Sequence, residues 1–266
     1  MSAAMSRAVS HARRVYLLSL LFCLGLPLIA QTPRLTFDVA SIHQAKPDQV
    51  YGGIRAIPGG HGYTARNVSV KLMISLMYKV PARQIRGGPT WLNTEHWDVE
   101  ARADGTYSID NLQTMYQNLL VDRFQLKFHK EAQTGNIYAL TVDPSGSKLR
   151  VDTTAQDYSI PMNGDSAHTK GVRVPMNYFT WWLGQVLQND GRPVINQTGL
   201  TGYYDFELSF RPVLPPEESA DALPPEVRDL PPIATAVREQ LGLKLTPAKG
   251  TYYNLVIDQI ARPSDN

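Results

Sequence analysis

The sequence predicts an α+β protein made of two similar halves. Three observations carry that expectation: four apolar stripes at helical spacing, a pair of short β-rich segments after each stripe, and one pattern found twice. The pattern is HWDVEA at 96–101 and YYDFEL at 203–208, each with an aromatic residue, Asp, an apolar residue, Glu and another apolar residue in that order.

The helices come first. Leu72, Met73, Leu76, Met77 and Val80 form one stripe, and Leu112, Met115, Tyr116, Leu119 and Leu120 a second, opened by Asp110 as a cap. Phe179, Trp182, Leu183, Val186 and Leu187 form the third, and Ile233, Ala236, Val237 and Leu241 the fourth, after Pro231 and Pro232. Each stripe is one helix face. The segments that follow are short, rich in β-branched or aromatic residues, and bounded by Gly, Pro, Asn or Asp. RQIRGG and HWDVEARA follow the first helix, FQLKFHKE and NIYALTVD the second, RPVINQTG and YYDFELSF the third, LKLTPAKG and YYNLVIDQI the fourth. The expected fold is therefore helix-strand-strand four times, with internally duplicated units packed on antiparallel sheets. One such unit buries too little apolar area to stand alone, so neighbours must share cores.

These elements divide the chain into a first half at 31–150 and a second at 165–266. A proline-rich insertion at about 211–232 holds seven of the 19 prolines and is expected to be an exposed, stiff excursion. DTTAQDYSIPMNGDSAHTKG is expected to connect the halves.

Residues 1–30 differ in kind. Arg7, His11, Arg13 and Arg14 precede the apolar run VYLLSLLFCLGLPLIA, which is short for a membrane span and reads as a secretory signal peptide cleaved after Ala30. Its removal turns the formal charge of +2 into about −1 by loss of three arginines, which withdraws the case for nucleic acid as a partner. It also removes Cys23, the only cysteine, and with it any disulfide or thiolate chemistry. The expected location is secreted or periplasmic, with no stable membrane span in the mature chain.

The stretches FDVASIHQAKP, YTARNVSVKLMISLMYKVPARQIRGGPTWLNTEHWDVEARA, NLLVDRFQLKFHKEAQTGNIYALTV, GRPVINQTGLTGYYDFELSF and EQLGLKLTPAKGTYYNLVIDQIARP together resemble the soil-associated family of exported bacterial proteins abundant in Acidobacteria, a domain of unknown function. The resemblance covers nearly the whole mature chain and implies export and a bacterial source, with no reaction attached. Similar domains are sometimes joined to membrane peptidases of the antibiotic-sensor type, which implies extracytoplasmic sensing or binding. SVKLMISLMY and AVREQLGLKL also resemble the short N-terminal domains of secretins and TonB-dependent receptors. His43 stands where the family more usually has lysine, so no role passes to it.

Candidate chemistry is sparse. A strand period of two puts His96, Asp98 and Glu100 on one face, the geometry a hard cation or a histidine-assisted hydrolytic site uses. The same alternation describes any half-buried strand whose polar face meets water, and Tyr203 replaces the histidine in the second copy. Trp181 lies off the stripe that holds Trp182, a position suited to packing or to partner or glycan contact; Tyr203 and Tyr204, after a glycine pair, suit strand closure or ligand contact. His129 sits beside a lysine on a polar face. The glycine-rich segments YGGIRAIPGGHGY and IRGGPTW lack phosphate-loop spacing and read as hairpin turns, and no G-x-S-x-G elbow is present. No cofactor or metal site is expected. The expected function is a non-catalytic extracytoplasmic module for binding, sensing or assembly, with an unknown protein, glycan or small ligand as partner. The alternative is a secreted hydrolase, with or without metal assistance, acting on an ester or polymer through His96, Asp98 and Glu100.

Overall fold

The computed structural model describes residues 34–46, 48–49, 52–154, 161–165, 167–214, 218–219, 221 and 223–263. The expected signal peptide lies outside the described residues, as do parts of the connector and of the proline-rich segment. In chain order the elements are β1 (Val39–Gln44), β2 (Gly53–Ile57), β3 (Gly62–Ser69), α1 (Val70–Tyr78), β4 (Ile85–Gly87), α2 (Trp91–Thr94), β5 (His96–Arg102), α3 (Ile109–Arg123) and β6 (Lys127–Val142). They continue with β7 (Arg150–Val151), β8 (Met162–Gly164), β9 (His168–Pro175), α4 (Met176–Val186), β10 (Val194–Asn196), β11 (Tyr203–Ser209), α5 (Pro225–Arg228), α6 (Ile233–Leu241) and β12 (Leu243–Gln259). The class is α+β.

Three four-stranded sheets result, ordered β1-β5-β3-β2, β10-β6-β12-β4 and β7-β11-β9-β8. The first and third are antiparallel; the first lies within the first half, and the third joins β9 and β11 of the second half to β7 and β8 from the stretch before it. The middle sheet joins the halves: β6 and β12 run antiparallel along their length, with β4 of the first half added parallel to β12 and β10 of the second added parallel to β6. With the one-turn helices α2 and α5 set aside, the succession strand, helix, short strand, strand, helix, long strand occurs twice, as β3-α1-β4-β5-α3-β6 and as β9-α4-β10-β11-α6-β12.

Two expectations are corrected here. The segments after the second and fourth helices are not strand pairs: each pair is one continuous strand, of 16 residues in β6 and 17 in β12. Gly135 and Gly250 suggested turns, yet they face each other in the ladder. A Cβ on Gly250 would lie 2.6 Å from Ile137 Cδ1, the movable end of that side chain, and one on Gly135 3.3 Å from the Tyr252 ring. The connector also carries more structure than expected, since its second part forms β8 and the start of β9.

Helix ends follow local chemistry. Ser69 caps α1 by accepting from Leu72 N–H, and Ser108, rather than Asp110, caps α3 by accepting from Asn111 N–H. Asp110 lies in the first turn, where a carboxylate favours the positive end of the helix. The helices cover two apolar clusters; the first also takes Leu255 and Ile257 of β12, the second Leu140 of β6, and Leu76 of α1 packs against both. On α3 all five stripe residues are buried, and on α6 all four. α1 departs from its stripe: Leu72 is 42% exposed, while Ile74 and Ser75 are fully buried. α4 is buried well beyond its stripe, with Tyr178, Thr180, Trp181 and Gly184 added to Phe179 and Leu183. A helix buried on more than one face is packed between layers, and α4 lies between its own sheet and the first half. No helix among the described residues is long and apolar enough to cross a membrane.

Candidate functional site: a cleft between the halves

The repeated acidic pattern has a local cause. In β5, Trp97, Val99 and Ala101 are buried, and His96, Asp98 and Glu100 take the other face. The β3–β5 register slips between Ala65 and Val68, so that Arg66 and Asn67 together oppose Asp98. Such a bulge turns one backbone N–H out of the ladder, and that donor needs an acceptor. Asn67, left-handed at φ 48°, donates its N–H to Asp98 Oδ1 at 2.8 Å. The β9–β11 pair has the same slip: Val172 and Arg173 oppose Asp205, and Arg173, at φ 51°, donates its N–H to Asp205 Oδ1 at 3.0 Å. In each half the Asp clamps a bulge.

The other members of the expected triad lie apart in role. Glu100 pairs with Arg102 at 2.8 Å and Arg66 at 3.1 Å, and these cations, Arg102 foremost, hold its carboxyl below the usual range. His96 is exposed at the start of β5, opposite Ser69. Among the described residues no three His, Cys, Asp or Glu side chains gather in a way that would hold a metal ion.

Trp181 and Tyr203 sit at the junction of the halves, and Tyr204 does not. Tyr204 is a core residue, 5% exposed, whose hydroxyl donates to the Thr201 carbonyl. Tyr203 reaches across to α3, donating its hydroxyl to Asp110 Oδ2 at 2.8 Å, with the Arg173 guanidinium over its ring. Trp181 donates its indole N–H to Ser75 Oγ of α1 at 3.1 Å, and Gln185 Nε2 donates to the same oxygen at 3.0 Å. Arg83 adds a further tie, donating to the carbonyls of Gly184, Leu187 and Arg192 at the end of α4, where a cation also suits the helix dipole.

These ties leave a cleft of about 430 Å³ between the halves, within the range of small-molecule sites. The first half contributes Lys79, Gln84 and Gln117 to its walls, the second Trp181, Ile195 and Asn254. Most amide donors there are already used: Gln84 Nε2 donates to the Tyr253 carbonyl, Gln117 Nε2 to the Met77 carbonyl and Asn254 Nδ2 to Gln133 Oε1. Asn254 is only 4% exposed, and its Oδ1 has no hydrogen-bond partner. A buried acceptor left open costs roughly 1–3 kcal/mol, a cost that a bound donor removes.

Lys79 is the cleft's electrostatic feature. It follows α1 in a left-handed conformation, with its ammonium donating to the Leu76 carbonyl at 2.6 Å and lying 5.1 Å from the Tyr178 ring centre and 6.0 Å from that of Trp181. Burial lowers its pKa from the ordinary 10.5 to about 7, against the attraction of Asp110. Across the window between those two values the unfolded chain holds a proton that the folded chain has released, so this group makes stability rise with pH there. Lys79→Gln removes that rise. Urea midpoints of both proteins measured from about pH 7 to about pH 9.5 check this; parallel profiles would refute it.

Of the residues that line the cleft, the sequence singles out Trp181 alone as a contact candidate. A lysine ending a helix is ordinary, and the one further local signal is Asn254, a polar residue interrupting the strand-forming run YYNLVI. The family described as "Protein of unknown function (DUF3738)" matches residues 71–260, from α1 through the end of β12, and the chain belongs to that family. No curated protein and no solved structure matches the chain.

Proposed function

We propose that the protein is an exported binding or sensing module, without catalysis of its own, that takes a small ligand in the cleft between its halves. The observation that carries this is a ligand-sized cleft that both halves build, with Asn254, whose buried Oδ1 has no partner, among the residues that line it. Export is supported by the basic cluster and apolar run that end at Ala30, and a bacterial, soil-associated origin by the resemblance of the motifs quoted above. Duplication of an ancestral half is supported by the element order that occurs twice and by a bulge clamped by Asp in each half. The hydrolase alternative lacks comparable support, because Asp98 and Glu100 are engaged with Asn67, Arg66 and Arg102.

A thermal-shift screen of the purified protein against small metabolites and short glycans, beside the Ile195→Trp variant that fills the cleft, tests this reading. The expected result is stabilisation of the wild type by at least one compound and none of the variant. Turnover in ester, glycan or peptide screens that vanishes in His96→Ala would replace this reading with the hydrolase.

A further inference from the structure

The chemistry of the cleft restricts what fits it. Its charged wall residues are Lys79 and Lys130, and no carboxylate is among the described residues that line it. An anion entering there meets two cations on the wall, and the nearest opposing charge is Asp110, behind Lys79 and hydrogen-bonded to Tyr203. The unpartnered polar atom has the opposite demand: Asn254 Oδ1 accepts, so its partner must be a hydroxyl or an N–H, reached when the amide, now closed to solvent, turns into the cleft that Asn254 lines. Between these lie apolar surfaces, chiefly Trp181 and Tyr253.

We infer that the ligand is a small organic acid that also carries a hydroxyl or N–H donor, with its carboxylate on the Lys79 ammonium, its donor on Asn254 Oδ1 and its apolar body against Trp181. This rests on the cleft being the binding site. Lys79 suits the task because its environment leaves the charge incompletely satisfied: it holds one backbone carbonyl and two ring faces, while Asp110, the carboxylate attracting it, is hydrogen-bonded to Tyr203. The titratable groups around Lys79 are Asp110 of α3, Arg173 of β9, Tyr178 of α4 and Tyr203 of β11, with Lys130 of β6 on the cleft wall. A bound carboxylate adds the missing negative charge, so the lysine takes up a proton as the acid binds near neutral pH.

The test uses para-hydroxybenzoate, para-hydroxyphenylacetate and para-hydroxyphenylpropionate, which place carboxylate and hydroxyl at increasing separation, each beside its neutral amide and its analogue without the hydroxyl. Calorimetric titration of the full protein in two buffers of different ionisation enthalpy reads affinity and proton uptake together. At least one acid binds about tenfold or more tightly than its amide, with proton uptake. Lys79→Gln abolishes the preference for acid over amide, Lys79→Arg retains it, and Asn254→Leu abolishes the preference for the hydroxylated acid over its analogue. Amides that bind as well as the acids, or a Lys79→Gln variant that keeps the preference, overturn the inference. If amide binding then vanishes in Ile195→Trp, the cleft survives as a site and only the anion assignment falls. Absence of binding by every acid at about 10 mM, with the thermal-shift screen also blank, sinks both.

Discussion

Phe179→Ala is expected to destabilise the protein by about 3–5 kcal/mol, enough to remove a large share of the stability a domain of ordinary size possesses. Phe179 is fully buried on α4, stacked on Trp182 with ring centres 5.9 Å apart and in edge contact with Phe206 at 5.2 Å. The cost is high because the surroundings cannot collapse into the space. Phe206 packs close over Gly171, where a Cβ would come within 2.7 Å of the ring, and Trp182 makes an edge contact with Phe210 at 5.7 Å. Urea denaturation gives the loss as a drop in midpoint at constant slope. A loss under about 1 kcal/mol would mean that α4 does not pin the second half as described.

Asp98→Ala and Asp205→Ala are each expected to cost about 2 kcal/mol, since each leaves a part-buried bulge N–H, of Asn67 or Arg173, without its charged acceptor. The two residues lie in different sheets, so the double variant should lose close to the sum. Asp→Asn at either position keeps an acceptor oxygen and should cost less than half as much. Amide hydrogen exchange at Asn67 in Asp98→Ala, and at Arg173 in Asp205→Ala, should quicken ahead of that at neighbouring ladder positions. Unchanged exchange and stability would free both carboxylates for another role.

What the sequence revealed and what it hid have physical reasons. The stripes of α3 and α6 were legible because each of these helices buries one face. α1 and α4 were partly misread because their second buried faces, which meet at Ser75 and Trp181, depend on a contact between residues over a hundred positions apart. The long strands were hidden by glycines that face each other in the ladder instead of turning. The pattern shared by HWDVEA and YYDFEL was plain, but its cause was not: a bulge is a property of the partner strand, and although asparagine tolerates a left-handed backbone, as at Asn67, Arg173 gives no such signal. The cleft's lining beyond Trp181 was illegible because its walls come from separate helices and strands of both halves, with no local motif among them.

If ligand meets this protein in the cleft and the acidic strand pattern serves the fold, the two regions must respond differently when an acid binds. Titration of the isotope-labelled protein with para-hydroxyphenylacetate, followed by amide and indole chemical shifts, reads both at once. Shifts are expected to concentrate at the Trp181 indole N–H, the Asn254 side-chain amide and the backbone around Lys79, with the strand from His96 to Arg102 unmoved. Shifts centred on His96, Asp98 and Glu100, with the cleft silent, would be incompatible with a binding module of this design.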